Sequence, residues 1–292
     1  MYYYSLNEYL KNTFGEKVYK ISLDGGMTCP NRDGKIDTRG CIFCSRGGSG
    51  EFSADRNHSI TEQIREAKER IGRKTDCKKF IAYFQPFTNT YAPVEYLEKI
   101  FTEAIAPDEI VALSVATRPD CLPDEVIGLL SRLNKIKPVW VELGLQTVHQ
   151  STADYIRRGY PLSVYDDAVM RLHKEGISVI THIIIGLPNE TDDMIIESAR
   201  YAGECSDGIK LQLLHILKGT DLCDEYYKGN VSVLSLEKYT EILVKCLQAI
   251  PKTTVIHRLT GDGDKNILVA PMWSADKKHV LNYINKAIRE SE

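Results

Sequence analysis

Short apolar segments alternate with longer amphipathic segments along most of this chain, and this alternation limits the possible folds more than any other feature. The apolar segments are rich in β-branched residues and have the length of strands; they lie at 17–23, 79–84, 110–115, 138–144, 178–185 and 208–216. Helical patterns separate them, at 60–72, 93–105, 123–134, 163–175 and 190–204. Apolar strands joined by helices predict a parallel sheet that is covered on both faces. We therefore predict an α/β fold, a partial (β/α)6 TIM-like barrel.

The rest of the chain predicts an extension of this domain rather than a second domain. Residues 235–292 contain a helical pattern, an apolar strand at 253–259 and a final amphipathic helix. No low-complexity linker separates this part from the barrel core, which we place at about 17–217. We therefore expect one domain over 1–292, with a C-terminal α/β extension.

Charge and cysteine usage narrow the class of protein. The net charge is −3, so a nucleic-acid partner would have to be bound by a local basic patch. The chain has no apolar segment of about 18 residues, which a membrane span requires, and residues 1–20 lack the apolar segment of a secretory signal. Its eight cysteines are too sparse for a disulfide scaffold. We expect a cytoplasmic protein with reduced thiols and no membrane contact.

Three cysteines follow the first predicted barrel strand and give the most specific chemical signal. We call Cys29, Cys41 and Cys44, in the segment CPNRDGKIDTRGCIFC, the cysteine triad. A [4Fe–4S] cluster that only transfers electrons takes four thiolates, so three thiolates leave one iron open to bind another ligand. Phe43, between the last two cysteines, can shield such a cluster from water. The pattern favours a cluster that is built to react.

Two other metal sites are compatible with the cysteine triad taken alone. Structural zinc takes four closed ligands, and His58 would supply the fourth in a Cys3His site. The corresponding protein would be a zinc-stabilised RNA-binding barrel. A simple electron carrier would need a fourth cysteine nearby, and none occurs between residues 45 and 76.

Further motifs occur at the ends of the predicted strands. They are SLDGGMTCPNRDG, YFQPFTNTY, SVATRPDCL, ELGLQT, IIIGLPNET and LQLLHILKGT. With the cysteine triad they resemble the radical S-adenosylmethionine (SAM) superfamily, whose usual motif is Cys-x3-Cys-x2-Cys. The Cys-x11-Cys-x2-Cys spacing of this chain is similar to that of the Elp3-like branch. Within that branch the chain resembles the YhcC/YtqA-type subgroup, over about residues 5–285.

This resemblance implies two cofactors and a first chemical step. The cysteine triad would hold a [4Fe–4S] cluster, and its open iron would chelate the amino and carboxylate groups of SAM. An electron from the cluster would then cleave SAM to methionine and a 5′-deoxyadenosyl radical. A flavodoxin- or ferredoxin-type partner would supply that electron, while the protein binds and orients the reactants.

The resemblance also implies which strand-end residues contact SAM. The expected residues are Gln85, Asn89, Ser114, Thr117, Arg118, Glu142, Gln146, Arg157, Gly186 and Leu187. The amides of Gln85 and Asn89 follow the second strand, where the superfamily has a GlyGlyGlu motif that faces the SAM amino group. Arg118 would pair with the SAM carboxylate. The alternative for Arg118 is a structural ion pair with Asp120 or Asp124.

For the residues at the later strand ends, too, a contact with SAM and a purely structural role are both possible. Glu142 and Gln146 are expected to point into the barrel and to bind ribose hydroxyls; the alternative is an internal polar network. Gly186 and Leu187 would lie against adenine, or would simply form a strand-to-helix turn. Arg157 would face SAM, or would belong to a solvated helix face.

The resemblance extends to the substrate. Elp3-like proteins modify the wobble uridine of tRNA, and the subgroup implies conversion of a 5-carboxymethylaminomethyl group to 5-aminomethyl. A run of basic residues between 65 and 79, followed by aromatic residues up to 91, is compatible with RNA binding and base stacking. The alternative enzyme is a radical SAM protein that acts on a small metabolite or a tetrapyrrole.

Overall fold

A curved, open sheet of parallel strands forms the centre of the computed structural model, which describes residues 3–48, 50, 53–73, 75–261 and 263–291. The strands are β1 (Tyr4–Ser5), β2 (Val18–Leu23), β3 (Lys79–Phe84), β4 (Ile110–Thr117), β5 (Val139–Gln146), β6 (Ser178–Ile185), β7 (Gly208–Leu213), β8 (Ile216–Leu217), β9 (Val255–Arg258) and β10 (Leu268–Ala270). Within the described residues, eight of these strands form one sheet in the order β1-β9-β7-β6-β5-β4-β3-β2.

Strands β2 to β7 confirm the six strands predicted from the apolar pattern. The extension adds β9 to the same sheet, parallel to β7, and β1 then pairs with β9. β8 and β10 form a separate antiparallel pair beside the sheet. β1 has only two residues, which is too short for a periodic pattern to reveal it.

Helices cover the sheet and connect its strands. They are α1 (Leu6–Phe14), α2 (Ile60–Gly72), α3 (Val94–Ile105), α4 (Asp124–Asn134), α5 (Gln150–Tyr155), α6 (Leu162–Lys174), α7 (Asp192–Cys205), α8 (Asp221–Tyr227), α9 (Leu236–Ala249) and α10 (Lys277–Glu290). α2 begins with a capping box, in which Ser59 and Glu62 each accept a hydrogen bond from the backbone N–H of the other. Among the described residues, no helix is long and apolar enough to cross a bilayer.

Apolar side chains fill the space between the sheet and these helices. Leu113 of β4 is fully buried, as are Leu97 and Phe101 of α3. The Phe84 and Phe101 rings pack edge to face, with 5.0 Å between their centroids. Truncating one such leucine to alanine costs about 2–5 kcal/mol, so this core holds the strands in register.

Parallel strands all end at one edge of the sheet, and the loops that follow β2 to β7 meet there. The cysteine triad lies in the loop between β2 and α2, at this carboxyl edge. α2 then runs back, so its C-terminus and the start of β3 lie at the opposite edge. Lys68 pairs there with Glu109, and Lys79 with Glu16. These two residues of the basic run therefore lie at the edge opposite the cysteine triad, and a role of the run in RNA binding stays a prediction; Lys74 lies outside the described residues.

Candidate active site

The loop after β2 brings the whole cysteine triad to the wall of one cavity at the carboxyl edge of the sheet. Hydrogen bonds within the loop give it a defined shape. The Gly40 backbone N–H donates to the Asn31 carbonyl at 2.7 Å, and the Arg32 guanidinium donates to the Cys44 carbonyl at 2.8 Å. The Ile42 backbone N–H donates to the Ile156 carbonyl, which ties the loop to the end of α5. These hydrogen bonds fix the backbone that carries the three cysteines.

Asn31 provides a test of whether this loop fits an iron–sulfur cluster. Its side-chain amide donates to the Arg157 carbonyl at 2.8 Å and lies 3.6 Å from the Cys41 sulfur. Amide N–H groups directed at cysteine sulfur are a standard means of stabilising cluster thiolates. The Asn31 Oδ1 atom is buried and accepts no hydrogen bond from the described residues. The donor set and the three thiols together fit a [4Fe–4S] cluster.

The zinc alternative does not fit the same loop. The His58 ring lies on the surface, with its Nδ1 atom 3.0 Å from Glu66, and does not line the cavity. Ligands of one zinc ion must converge within about 2.3 Å of a common point. No three His, Cys, Asp or Glu side chains converge in this way in the described part of the chain. A cubane cluster takes its thiolates on separate irons, so its ligands have no common point.

Buried cations surround the triad. Burial, and next the neighbouring Cys44, raise the pKa of the Cys41 thiol to about 12, whereas Arg118 acts to lower it. The Arg158 guanidinium is almost fully buried and, among the described residues, donates to backbone carbonyls alone, including those of Leu145 and Thr147. Burial lowers the pKa of Arg158. Metal-bound thiolates would gain from these two positive charges in a low-dielectric site.

A network of charged side chains forms the deep end of the cavity. We call it the charged floor; it consists of Lys20, Tyr83, Glu142, His182, Lys210 and Arg258. The Glu142 carboxylate at its centre is fully buried and accepts hydrogen bonds from Lys20 at 2.5 Å, from His182 at 2.8 Å and from Lys210. Neighbouring strands contribute one residue each, so the floor depends on the sheet register.

The network controls the protonation of its members. Burial alone would raise the pKa of Glu142, but Lys20 and Lys210 outweigh it and hold that pKa well below its usual range. Burial, and then Lys210, lower the pKa of His182 to about 4. Burial lowers the pKa of Lys210 to about 7, against the attraction of Glu142. The floor therefore contains an ionised carboxylate and a neutral imidazole near neutral pH.

Half of the strand-end residues predicted to contact SAM line the cavity. They are Gln85, Thr117, Arg118, Glu142 and Gln146. Gly144 leaves the space that the Gln146 side chain occupies, because a Cβ atom there would stand 2.9 Å from Gln146 Nε2. The Gln85 side chain accepts a hydrogen bond from Ser22 at 2.8 Å.

Two of these lining residues have the internal partners that their alternative interpretations require. Arg118 forms a bidentate ion pair with Asp120, at 2.9 and 2.7 Å, which occupies one edge of its guanidinium. Both carboxylate oxygens of Glu142 accept hydrogen bonds within the charged floor, so neither is free. Neighbouring strands supply hydrogen-bond donors to Glu142, as its alternative interpretation requires, and binding of ribose hydroxyls by Glu142 stays a prediction.

The other five predicted residues do not line the cavity, and two of them are polar side chains turned inward to the fold. The Asn89 amide donates to the carbonyls of Phe84 and Ala116, and so joins the ends of β3 and β4. The Ser114 hydroxyl donates to Glu142 at 2.6 Å from beneath the floor. Both residues are buried, and the Asn89 amide nitrogen and the Ser114 hydroxyl bond to the protein itself. The Asn89 Oδ1 atom, by contrast, is buried and accepts no hydrogen bond from the described residues.

Arg157, Gly186 and Leu187 also lie outside the cavity lining, and their contact with SAM stays a prediction. The Arg157 guanidinium pairs with Asp221 at 2.6 Å, away from the cavity; only its carbonyl reaches the cysteine loop. Leu187 packs in an apolar cluster with Ile42 and other residues, and Gly186 has φ +95°, typical of a turn that requires glycine. These residues support the loop from behind instead of facing the cavity.

Sequence reasoning missed the lysines of the charged floor. Lys20 lies within VYKISL and Lys210 within GIKLQL, each inside an otherwise apolar strand. A lysine in such a position is itself a signal, since an ammonium group in a buried strand needs an anionic partner. Glu142 in VWVELG is the matching anomaly.

An open parallel barrel with three cysteines in the loop after its first long strand defines a radical SAM protein. Two family models agree: Radical SAM superfamily matches residues 38–202, and Radical_SAM C-terminal domain matches residues 206–290. The chain belongs to the radical SAM superfamily. Members of this superfamily bind a [4Fe–4S] cluster and SAM, the two groups predicted from the motifs.

Individual proteins with similar sequences narrow the position of the chain within the superfamily. It is 46% identical over 287 residues to the uncharacterized protein YtqA of Bacillus subtilis, covering 98% of this chain and 89% of that protein. It is 25% identical over 171 residues to a tRNA uridine(34) acetyltransferase of Methanocaldococcus jannaschii, covering 56% of this chain and 30% of that protein.

Among solved structures, the archaeal Methanocaldococcus infernus Elp3 superimposes with a TM-score of 0.66 at 18% identity, over 92% of this chain and 63% of that one. This likeness confirms the predicted barrel fold. The Elp3 relationship rests on sequence: the chain is 25% identical over 179 residues to Elongator complex protein 3 of Mus musculus, covering 60% of this chain and 31% of that protein.

Proposed function

We propose that this radical SAM enzyme modifies the C5 side chain of the wobble uridine in tRNA, converting carboxymethylaminomethyl to aminomethyl. The observation that carries the proposal is one cavity that joins the cysteine triad at its outer end to the charged floor at its deep end. A side chain that enters this cavity would lie between the two ends. The relative named tRNA uridine(34) acetyltransferase supports uridine 34 as the target.

The residues near the triad divide into binding and electrostatic roles. Gln85, Thr117 and Gln146 present polar side chains to the cavity and are our candidates for orienting SAM. Arg118 and Arg158 supply positive charge next to the thiolates. When bound, the reduced cluster and SAM supply a carbon-centred radical able to abstract hydrogen from an unactivated C–H bond. A flavodoxin- or ferredoxin-type protein would deliver the electron that reduces the cluster.

The proposed reaction balances with SAM and water as co-reactants. The substrate carbon between the amine nitrogen and the carboxylate loses two electrons and two protons overall. One electron and one proton would leave it as the hydrogen atom that ends in 5′-deoxyadenosine; the second electron would return to the cluster, replacing the one first supplied, and the second proton would pass to solvent. Water then adds to that carbon and the C–N bond breaks. The amine stays on the uridine, the two-carbon fragment leaves as glyoxylate, and SAM is reduced by two electrons to methionine and 5′-deoxyadenosine. The residues of the cavity hold the substrate and exclude competing water.

An aromatic ring at the outer part of the cavity gives a base a surface to stack on. Phe87 lines the cavity, and the Arg32 guanidinium lies 5.6 Å from its ring centroid. Phe84, by contrast, is a fully buried core residue, and Tyr83 belongs to the charged floor. We therefore assign stacking of a flipped-out base to Phe87.

The test uses protein purified without oxygen and reconstituted with iron and sulfide. Reduced protein is mixed with SAM and with tRNA that carries 5-carboxymethylaminomethyluridine. We expect 5′-deoxyadenosine and 5-aminomethyluridine in equal amounts. Cys44→Ala should abolish both products, and Cys246→Ala, which removes a buried thiol of α9 outside the cavity, should abolish neither.

Cleavage of SAM without any change in the tRNA would overturn the substrate assignment. Identical wobble nucleosides in tRNA from cells with and without the gene would overturn it as well.

A further inference from the structure

The cavity carries a marked excess of positive charge. Among its described lining residues Glu142 is the one acid, whereas the bases include Lys210 and Arg258 at the floor. Lys20 adds a third floor cation behind them. Two lysines and an arginine thus face a single carboxylate in a site with little solvent, where their full positive charge is costly unless a further anion binds.

The floor also has hydrogen-bonding capacity to spare. The Lys210 ammonium donates to Glu142 and to the Tyr83 hydroxyl, the latter at 3.1 Å. An ammonium has three donors, and no other described residue accepts from Lys210. Arg258 is half-buried, and its side chain lines the same space. An anionic group from outside could therefore be bound here by directed hydrogen bonds as well as by charge.

We propose that the charged floor is the binding site for the carboxylate at the tip of the substrate side chain, with Lys210 and Arg258 as its ligands. The inference rests on the proposed function, because it assigns a place to the acid of the carboxymethylaminomethyl group. The floor lies inside the sheet and the cysteine triad lies in a loop beyond the strand ends. A carboxylate on the floor leaves its neighbouring CH2 group directed towards the triad, and this is the carbon from which hydrogen is to be removed.

Binding of two matched nucleosides tests this site without turnover. The probes are 5-carboxymethylaminomethyluridine and its methyl ester, titrated by calorimetry into reconstituted, SAM-loaded protein kept oxidised. We expect the wild type to prefer the acid by about tenfold or more, the usual value of hydrogen bonds to a charged group. Lys210→Met should reduce this preference to less than about threefold, whereas Lys210→Arg should retain most of it. Lys68→Met, which removes a surface lysine of α2, should leave the preference unchanged.

A second measurement counts the protons taken up on binding. An anion beside Lys210 favours its charged form, so binding of the acid at pH 8 should take up a larger fraction of a proton in the wild type than in Lys210→Met. Heats measured in buffers of different ionisation enthalpy give this number. The titratable and charged groups that face Lys210 are Lys20, Tyr83, Glu142, His182, His257 and Arg258.

The outcomes separate this inference from the proposed function. Equal affinity for acid and ester, or a preference that persists in Lys210→Met, overturns the carboxylate site. A preference that appears only without SAM means that the floor binds the carboxylate of SAM, and this also overturns it. If the preference holds and tRNA is nevertheless never modified, the carboxylate site stands and the proposed tRNA reaction is wrong.

Discussion

The His182 Nε2 atom lies 2.8 Å from a carboxylate oxygen of Glu142; the Glu142 side chain is fully buried and that of His182 is 14% exposed. Burial and the nearby lysines keep the imidazole neutral, so His182 donates its Nε2 proton to the carboxylate. A neutral donor satisfies Glu142 without adding a further positive charge to the floor. This contact makes the stability of the barrel dependent on pH.

His182 should make the protein sensitive to acid. Its pKa is about 4 in the folded state and about 6.5 when unfolded, so the unfolded state binds more protons between these values. Stability must then fall as the pH is lowered from 6.5 to 4, by about 3 kcal/mol. We expect His182→Gln, which keeps an N–H donor but does not titrate, to lack this loss. Urea denaturation of the metal-free protein at several pH values gives the free energy of unfolding of the wild type and of His182→Gln. The same dependence on pH in both proteins would contradict the prediction.

Glu142→Gln should destabilise the protein strongly. The change leaves Lys20 and Lys210 buried without their anion, and breaking a buried ion pair in this way costs about 3–5 kcal/mol. The free energy of unfolding in urea gives the effect. Glu109→Gln is the matched control, because its partner Lys68 is partly exposed and such pairs contribute at most about 1 kcal/mol. An equal loss of unfolding free energy in the two variants would mean that the ion pairs of Glu142 contribute no more to stability than the exposed pair of Glu109.

Asn31→Leu should make the cluster harder to reduce. The amide that lies 3.6 Å from the Cys41 sulfur stabilises the extra electron of the reduced state, and leucine has no donor. We expect a more negative midpoint potential in a redox titration, with the visible absorbance of the cluster retained. Asn230→Leu, at an exposed asparagine, should show the wild-type potential. An unchanged potential in Asn31→Leu would exclude Asn31 as a tuning residue.

Phe87→Ala should weaken tRNA binding with little loss of fold stability. Stacking of one base on an aromatic ring contributes about 1–3 kcal/mol, so the dissociation constant should rise by roughly 5- to 150-fold. Fluorescence anisotropy with labelled tRNA measures this change. Tyr227→Ala removes an aromatic ring that is 70% exposed outside the cavity and should not alter binding. Similar affinities of Phe87→Ala and the wild type for tRNA would mean that the base does not stack on Phe87.

The barrel and the cysteine loop could be predicted because their signals are local. Apolar strands and amphipathic helices each show their own period, and β2 to β7 appear within a few residues of the predicted segments. The spacing of Cys29, Cys41 and Cys44 is local as well, since all three belong to one loop. Parallel strands then place this loop at the carboxyl edge, which is where the cavity lies.

The charged floor could not be predicted in the same way. Lys20, Glu142 and Lys210 are far apart in the chain and lie on three different strands. The strand register brings them together: His182 pairs with Lys210 across β6 and β7, and Gly144 with His182 across β5 and β6. Each strand by itself shows only one unexpected charge among apolar residues.

The amino-acid sequence by itself determined that this chain forms a parallel barrel with a three-cysteine loop, because hydrophobic period and motif spacing act over short distances. The tertiary structure alone decided which polar residues face the cavity. Asn89 and Arg118 each looked available for a ligand, yet nearby carbonyls and Asp120 take up much of their hydrogen-bonding capacity. A buried polar group bonds to whatever the neighbouring strands bring within reach, and no local pattern records that.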